Sequence, residues 1–137
     1  MTKKAVLFDL DGTLVNSIPF HFSTHKELMK TYNIALTETF FEERCNGSSP
    51  EDFYKTIFKH YKGTERGAKT AHKKYVQIER QKNITVIKTF PGVKTTLAKL
   101  KRKGYKIAVA TSSTHEYAKI LLKANNILKY VDHIVGS

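Results

Sequence analysis

The chain has 137 residues, with 24 lysines and arginines against 12 aspartates and glutamates, a net charge of +12 and a single cysteine. That length supports one well-buried core, or a small core carrying an inserted module. No apolar run approaches the roughly 20 residues of a membrane-spanning helix. The lone Cys45 excludes an internal disulfide and fits a reducing, cytoplasmic compartment.

The basic excess favours anionic partners, either phosphorylated metabolites or nucleic acid. The lysines are spread along the chain without a block of five, which weakens the nucleic-acid reading. Met1-Thr2-Lys3-Lys4 leads straight into an apolar run, so no signal peptide is expected. Ala5 to Phe8 is apolar at every position, the pattern of a strand covered on both faces in a parallel sheet. It ends in Asp9-Leu10-Asp11-Gly12. Alternation sends Asp9 and Asp11 to one side and Leu10 to the other. Gly12 permits a sharp turn at the carboxyl end of the strand, where open α/β sheets bind ligands. Two carboxylates so placed repel each other unless a cation or a shared proton relieves them. An ordinary Asp-Gly turn is the plain alternative.

Beyond Leu14 the periodicity becomes helical. Ile18, Phe22, Leu28, Met29 and Tyr32 share a face in a helix from about 17 to 32. Thr37 opens a short helix carrying Phe40 and Phe41. Ser49-Pro50-Glu51-Asp52 is a strong start signal for a third helix, which buries Phe53, Ile57, Phe58 and Tyr61. Gly63-Thr64 ends it, and a basic helix follows with Ala68, Ala71, Tyr75 and Ile78 at helical spacing. Residues 17–83 therefore read as an inserted helical module. Pro91 starts the next helix, with Val93, Leu97 and Leu100 on one face and Gly104 past its end. Tyr105 to Ala110 is a second strand, and Thr111-Ser112-Ser113-Thr114 closes it. A helix with Ile120, Leu121 and Ala124 stops near Asn125-Asn126 and leads to a third strand from about 130 to 135. Strand, helix, strand, helix, strand predicts an α/β fold with a Rossmann-like parallel sheet, built from residues 1–16 and 84–137. The hydroxyls at 111–114 lie where a strand meets a helix N-terminus, which makes either an anion site or an ordinary cap by Ser113 or Thr114.

Phe8-Asp9-Leu10-Asp11-Gly12-Thr13-Leu14, directly after an apolar strand, resembles the first motif of the haloacid dehalogenase-like phosphohydrolases. Thr111 resembles their second motif, a Ser or Thr ending the second core strand. A helical cap inserted directly after the first motif is similar to the subgroup containing phosphoglycolate phosphatase and β-phosphoglucomutase. The resemblance implies a phosphatase acting on a small phosphorylated metabolite through an aspartyl phosphate. Asp9 would be the nucleophile, and Asp11 the acid that protonates the leaving oxygen and later activates water. Mg²⁺ would be held by the Asp9 carboxylate and the Asp11 backbone carbonyl. Thr111 and the Ser112 N–H would hold phosphoryl oxygens. His21 and Ser17 fall where mutase-like members carry a polar hinge, although a lone histidine on a helix is more often structural. Arg44-Cys45-Asn46-Gly47-Ser48-Ser49-Pro50 resembles the cap's specificity loop, with Gly47 as pivot and Arg44 beside it. The mutase has a lysine before that glycine and an arginine three residues after it. Asn46 and Pro50 stand there in this chain, which favours phosphatase over mutase.

The family's third motif is a lysine after the third strand, and its fourth is a set of acids that completes the magnesium site. Neither has a counterpart here, since no lysine follows Lys129 and no acid follows Asp132. The expectation is a fragment of a longer protein, with a truncated product or a self-sufficient short form as alternatives. The 137-residue form should bind Mg²⁺ poorly and turn over slowly. Its first strand should be an exposed edge open to self-association. The rival of another class is a non-catalytic basic module that binds nucleic acid.

Overall fold

The computed structural model describes residues 4–45 and 47–137. The chain divides into two compact units, one of residues 1–18 and 83–137 and one of residues 19–82. Met1, Thr2 and Lys3 of the N-terminal stretch, and Asn46 of the expected specificity loop, lie outside the described residues.

The first unit is built on three parallel strands, β1 (Ala5–Phe8), β2 (Lys106–Ala110) and β3 (His133–Val135), in the order β1-β2-β3. Phe8 pairs with Val109, and Val109 with Ile134. Helix α5 (Val93–Arg102) links β1's side of the chain to β2, and α6 (His115–Ala124) links β2 to β3. Helix α5 starts two residues later than expected. Gly92 precedes it at φ +83°, a left-handed conformation that keeps Pro91 outside the helix. Leu97, Ile107, Val109, Leu121, Leu122 and Ile127 are fully buried and make the core of this unit.

The expectation that β1 is covered on both faces fails. None of its four residues is buried, and Leu7 is 67% exposed. The strand order explains this. Successive right-handed crossovers advancing in one direction put both helices on the same face, the face of Ile107 and Val109. Leu7, Ala108, Ala110, His133 and Val135 share the other face by register and alternation. They range from half-buried to exposed.

Two polar side chains tie the connections down. Asp132 accepts from Lys101 Nζ at 2.8 Å, Lys106 Nζ at 3.1 Å and the Ile107 N–H at 2.8 Å. These contacts, the Lys101 bond foremost, hold its carboxyl well below the usual range. Asn125, which the sequence marks only as a helix stop, clamps the segment before α5. Its Nδ2 donates to the Ile87 carbonyl at 2.9 Å and its Oδ1 accepts from the Thr89 N–H at 3.1 Å.

The second unit contains all of α1 (Ile18–Lys30) except its first residue, and the whole of α2 (Glu38–Arg44), α3 (Pro50–His60) and α4 (Glu65–Gln81). Thr37, Ser49 and Thr64 cap α2, α3 and α4 by accepting from Phe40, Asp52 and Gly67 N–H groups. Helices α3 and α4 pack as a hairpin, with Phe58 set against Gly63 and Gly67 at distances that leave no room for a Cβ at either glycine. At the centre lies His25, stacked on Tyr75 with ring centres 4.1 Å apart at 15°, 4.1 Å from Phe53, and hydrogen-bonded to Tyr54 Oη at 2.9 Å.

Burial, with a smaller contribution from His21, pushes the His25 imidazole down to about 3 from its ordinary 6.5. The folded unit therefore holds the neutral ring, and unfolding below pH 6.5 takes up a proton. Stability from this site is complete above about pH 6.5 and falls by about 1.4 kcal/mol per pH unit as the medium is acidified toward pH 3. Urea titrations at pH 7, 5.5 and 4.5 should show that slope, and His25→Gln should lose about one proton's worth of it.

Candidate active site

The site residues of the first unit gather at the carboxyl ends of β1 and β2. Asp9 follows the last residue of β1, and Thr111 follows the last residue of β2. Beyond Asp9 the chain folds into a tight loop. Gly12 sits at φ +74° and its N–H donates to the Val15 carbonyl at 2.9 Å. Leu10, Leu14 and Val15 are buried beneath that loop, so the apolar residues of the motif anchor it while the acids stay at the surface. Asp9 is exposed, and its Oδ1 accepts from the Leu10 N–H at 2.7 Å.

Asp11 is half-buried among hydroxyls. Its Oδ1 accepts from Ser17 Oγ at 2.6 Å and Tyr117 Oη at 3.3 Å, and its Oδ2 from Ser113 Oγ at 3.0 Å. Ser17 is fully buried and Tyr117 nearly so. The sequence reading missed Ser113 and Tyr117 as partners of Asp11. The cap of α6 falls to Thr114, whose Oγ1 accepts from the Tyr117 N–H at 3.2 Å. Ser113 is thereby left to serve Asp11. Ser113 stands before the cap and outside α6, so helical spacing gave no signal for it.

Thr111 is half-buried, and its Oγ1 accepts from the Ser113 N–H at 3.1 Å. Ser112 is exposed between them. The end of the chain buttresses this loop. The Ser137 N–H donates to the Ser113 carbonyl at 3.0 Å, and the Thr111 N–H donates to the Val135 carbonyl at 2.9 Å. A Cβ on Gly136 would lie 2.7 Å from the His115 backbone nitrogen and 2.8 Å from the Ser113 carbonyl oxygen. Backbone cannot yield as a side chain can, so Gly136→Ala should cost about 1–3 kcal/mol. A thermal melt should register it, together with a shifted Ser113 amide resonance.

The remaining sequence candidates lie in the helical unit. His21, in the first turn of α1, approaches Tyr75 and Glu79 of α4. Arg44 ends α2 and is exposed, and Gly47 stands in a turn at φ +80°. The Ser48 N–H and Oγ both bond the Cys45 carbonyl in that turn. Cys45 itself is buried, and its thiol is pushed up to about 11, so it is no nucleophile.

The first unit is a parallel α/β unit of the Rossmann-like class, with two acids and a hydroxyl-rich turn at its strand ends. The chain belongs to the haloacid dehalogenase-like hydrolases, whose family model matches residues 6–137. It is 30% identical over 139 residues to phosphoglycolate phosphatase of Aquifex aeolicus, covering 97% of this chain and 60% of that protein. It is 28% identical over 117 residues to β-phosphoglucomutase of Bacillus subtilis, covering 80% of this chain and 51% of that one. The crystal structure of a predicted phosphoglycolate phosphatase from Haemophilus somnus superposes with a TM-score of 0.79 at 28% identity, over 99% of this chain and 64% of that one. The chain thus spans about three-fifths of the length of the curated relatives it matches. Among the described residues no helix is long and apolar enough to cross a membrane.

Proposed function

We propose that this chain carries the nucleophilic and phosphate-holding half of a phosphohydrolase for small phosphorylated metabolites. The observation that carries the reading is the 3.0 Å bond from Ser113 Oγ to Asp11 Oδ2. It joins the acidic tip of β1 to the hydroxyl loop of β2 as one site, across 102 residues of sequence.

In the proposed reaction an Asp9 carboxylate oxygen attacks phosphorus. The bond from phosphorus to the ester oxygen breaks, and Asp11 gives that oxygen a proton. A water then attacks the phosphorus, Asp11 takes the water's proton, and the Asp9–phosphate bond breaks to release inorganic phosphate. The hydroxyls around Asp11 suit both halves, because each can donate to the ionised carboxylate or accept from the protonated one by rotating its O–H. Thr111 and Ser112 would receive the phosphoryl oxygens.

The donor set fits Mg²⁺ in kind. Asp9 and Asp11 offer hard oxygen ligands, and this ion is commonly held by one or two carboxylates together with water and substrate phosphate. No further His, Cys, Asp or Glu groups with them among the described residues. When bound, Mg²⁺ would offset the repulsion between the anionic nucleophile and the anionic ester.

The named substrates of the relatives, phosphoglycolate and a phosphorylated glucose, support a small metabolite. Mutase action is the second reading, carried by the Bacillus subtilis relative. Phosphorus NMR separates the two, since a phosphatase releases inorganic phosphate and a mutase returns the phosphoryl group to another sugar hydroxyl. The mechanism itself is tested by mixing excess protein with labelled p-nitrophenyl phosphate and Mg²⁺, quenching in acid and digesting. Label on the peptide containing Asp9 supports the reading, and burst release of nitrophenol with label elsewhere would sink it.

A further inference from the structure

Between Glu79 and Glu116 the sequence holds no acid, and five of the eight residues from Lys99 to Lys106 are cations. The fold gathers them with others at one end of the sheet. Lys4 precedes β1 and Lys106 opens β2, and the Lys106 N–H donates to the Lys4 carbonyl at 2.9 Å. Lys99 and Arg102 lie in the last turn of α5, Lys103 follows it, and Lys129 lies in the short turn of 128–130 that leads to β3. All six side chains belong to exposed residues. This is the amino end of the strands, opposite Asp9 and Thr111.

Little at this end neutralises them. Asp132 is the one acid there among the described residues, and Lys101 at 2.8 Å and Lys106 at 3.1 Å already hold it. The other acids of the unit, Asp9, Asp11 and Glu116, follow the carboxyl ends of β1 and β2. Arg102 and Lys103 are neighbours in the chain, well inside the screening length of about 10 Å at 0.1 M salt, so the patch carries a repulsion that an anion relieves. Cations in the last turn of a helix complement its dipole. That accounts for Lys99 and Arg102 but not for Lys4, Lys106 and Lys129. Two of these are held over half-buried rings: Lys4 Nζ lies 5.9 Å from the centre of Tyr105, and Lys129 Nζ 5.2 Å from that of Tyr130.

The chemistry of the patch selects its partner. The exposed large apolar side chains, Leu7, Val86, Ile120 and Val135, all lie outside the segments 99–106 and 128–132 that carry most of these charges. A protein partner calls for an apolar interface core, and a bilayer surface for an apolar face to insert. A phosphodiester backbone calls for neither, because cations bind it by displacing its condensed counterions. We propose that the amino end of the sheet is a surface for nucleic acid, held through its phosphates without reading its sequence. The lysines are dispersed along the chain, and it is the parallel fold that brings the starts of β1 and β2, the end of α5 and the approach to β3 together. The surface is separate from the phosphohydrolase site and does not rest on it.

The test is fluorescence anisotropy of a labelled DNA duplex titrated with the whole 137-residue chain. Binding should weaken by about 100-fold between about 50 and about 200 mM salt, the dependence expected for about four phosphate contacts. Arg102→Glu with Lys103→Glu, which leaves the Asp132 contacts in place, should weaken it at least about 10-fold and flatten the logarithmic salt slope by about 2. Arg102→Gln with Lys103→Gln should give a smaller loss in the same direction, should the charge-reversed chain fail to fold. Lys69→Glu with Lys73→Glu makes the same change in net charge on α4 and should alter binding far less. Equal weakening by the two reversed pairs overturns the proposal, since net charge alone would then account for binding. Absence of binding to the duplex at the lowest salt overturns it, as does capture by anionic lipid vesicles without capture by the duplex. Asp9→Asn should bind the duplex as the wild type does, so loss of phosphoryl chemistry and loss of this surface are read apart.

Discussion

Asp9→Asn should lower the single-turnover rate on p-nitrophenyl phosphate by about 10³-fold or more, a loss of about 4 kcal/mol of transition-state stabilisation. The substitution keeps the shape of the side chain and removes its charge. The Leu10 N–H that donates to Asp9 Oδ1 at 2.7 Å can donate to the amide oxygen in the same way, so the loop should persist. Leu10, Leu14 and Val15 anchor it from below and do not involve the carboxylate. A neutral amide cannot displace an ester oxygen from phosphorus, so the loss belongs to chemistry and not to folding. Asp11→Asn makes the contrast. Its amide can still bond Ser17, Ser113 and Tyr117, but it cannot carry a proton to the leaving group. With nitrophenol, a leaving group that departs as an anion, the first step should survive far better than the second, and label should accumulate on Asp9. If Asp9→Asn retained wild-type turnover, the nucleophile would have to be sought elsewhere.

The places of Asp9 and Thr111 were legible because each directly follows an apolar strand, where the chain turns toward a loop or a helix. Asp11 lies beyond the end of β1, so strand alternation does not set its direction. The caps Thr37 and Ser49 were legible, since each precedes a helical pattern and accepts from an N–H three residues on, whereas Thr64, read only as the end of a helix, caps the next one in the same way. Contacts made across the fold were hidden. Ser113 and Tyr117 meet Asp11 from 102 and 106 residues away, and nothing local distinguishes a serine that caps from one that serves a distant carboxylate. Burial was misjudged at β1, because an apolar run looks the same whether both faces or one is covered. That depends on strand order and on the handedness of the crossovers, neither of which Ala5 to Phe8 encodes. The inner face of α3 was also drawn too narrowly. Phe53, Ile57 and Tyr61 define a stripe of period four, yet Tyr54 is the more deeply buried, at 1% exposure against 5% for Phe53.

Tyr54 is accordingly where the helical unit should be most fragile. Its ring lies edge-on to Phe53 at 4.9 Å and to His25 at 5.7 Å, and roughly parallel to His72 at 5.8 Å. Its hydroxyl is the partner of His25 Nδ1, and burial, followed by the charge of Glu79, raises its ionisation far above the ordinary tyrosine value. It therefore stays a neutral phenol at any working pH. Truncation to alanine removes the aromatic packing and opens a cavity, a change that costs about 3–5 kcal/mol in well-packed cores. It also leaves a buried imidazole nitrogen without its partner, for about 1–3 kcal/mol more. Domains commonly hold only about 5–15 kcal/mol in all, so Tyr54→Ala should leave α1, α3 and α4 largely unprotected from amide hydrogen exchange near 37 °C. Tyr54→Phe keeps the ring and loses only the hydroxyl, so it should fold with a reduced melting temperature, between wild type and alanine. That ordering separates the two contributions. Equal losses for phenylalanine and alanine would mean that the bond to His25, and not the packing of the ring, holds the unit together.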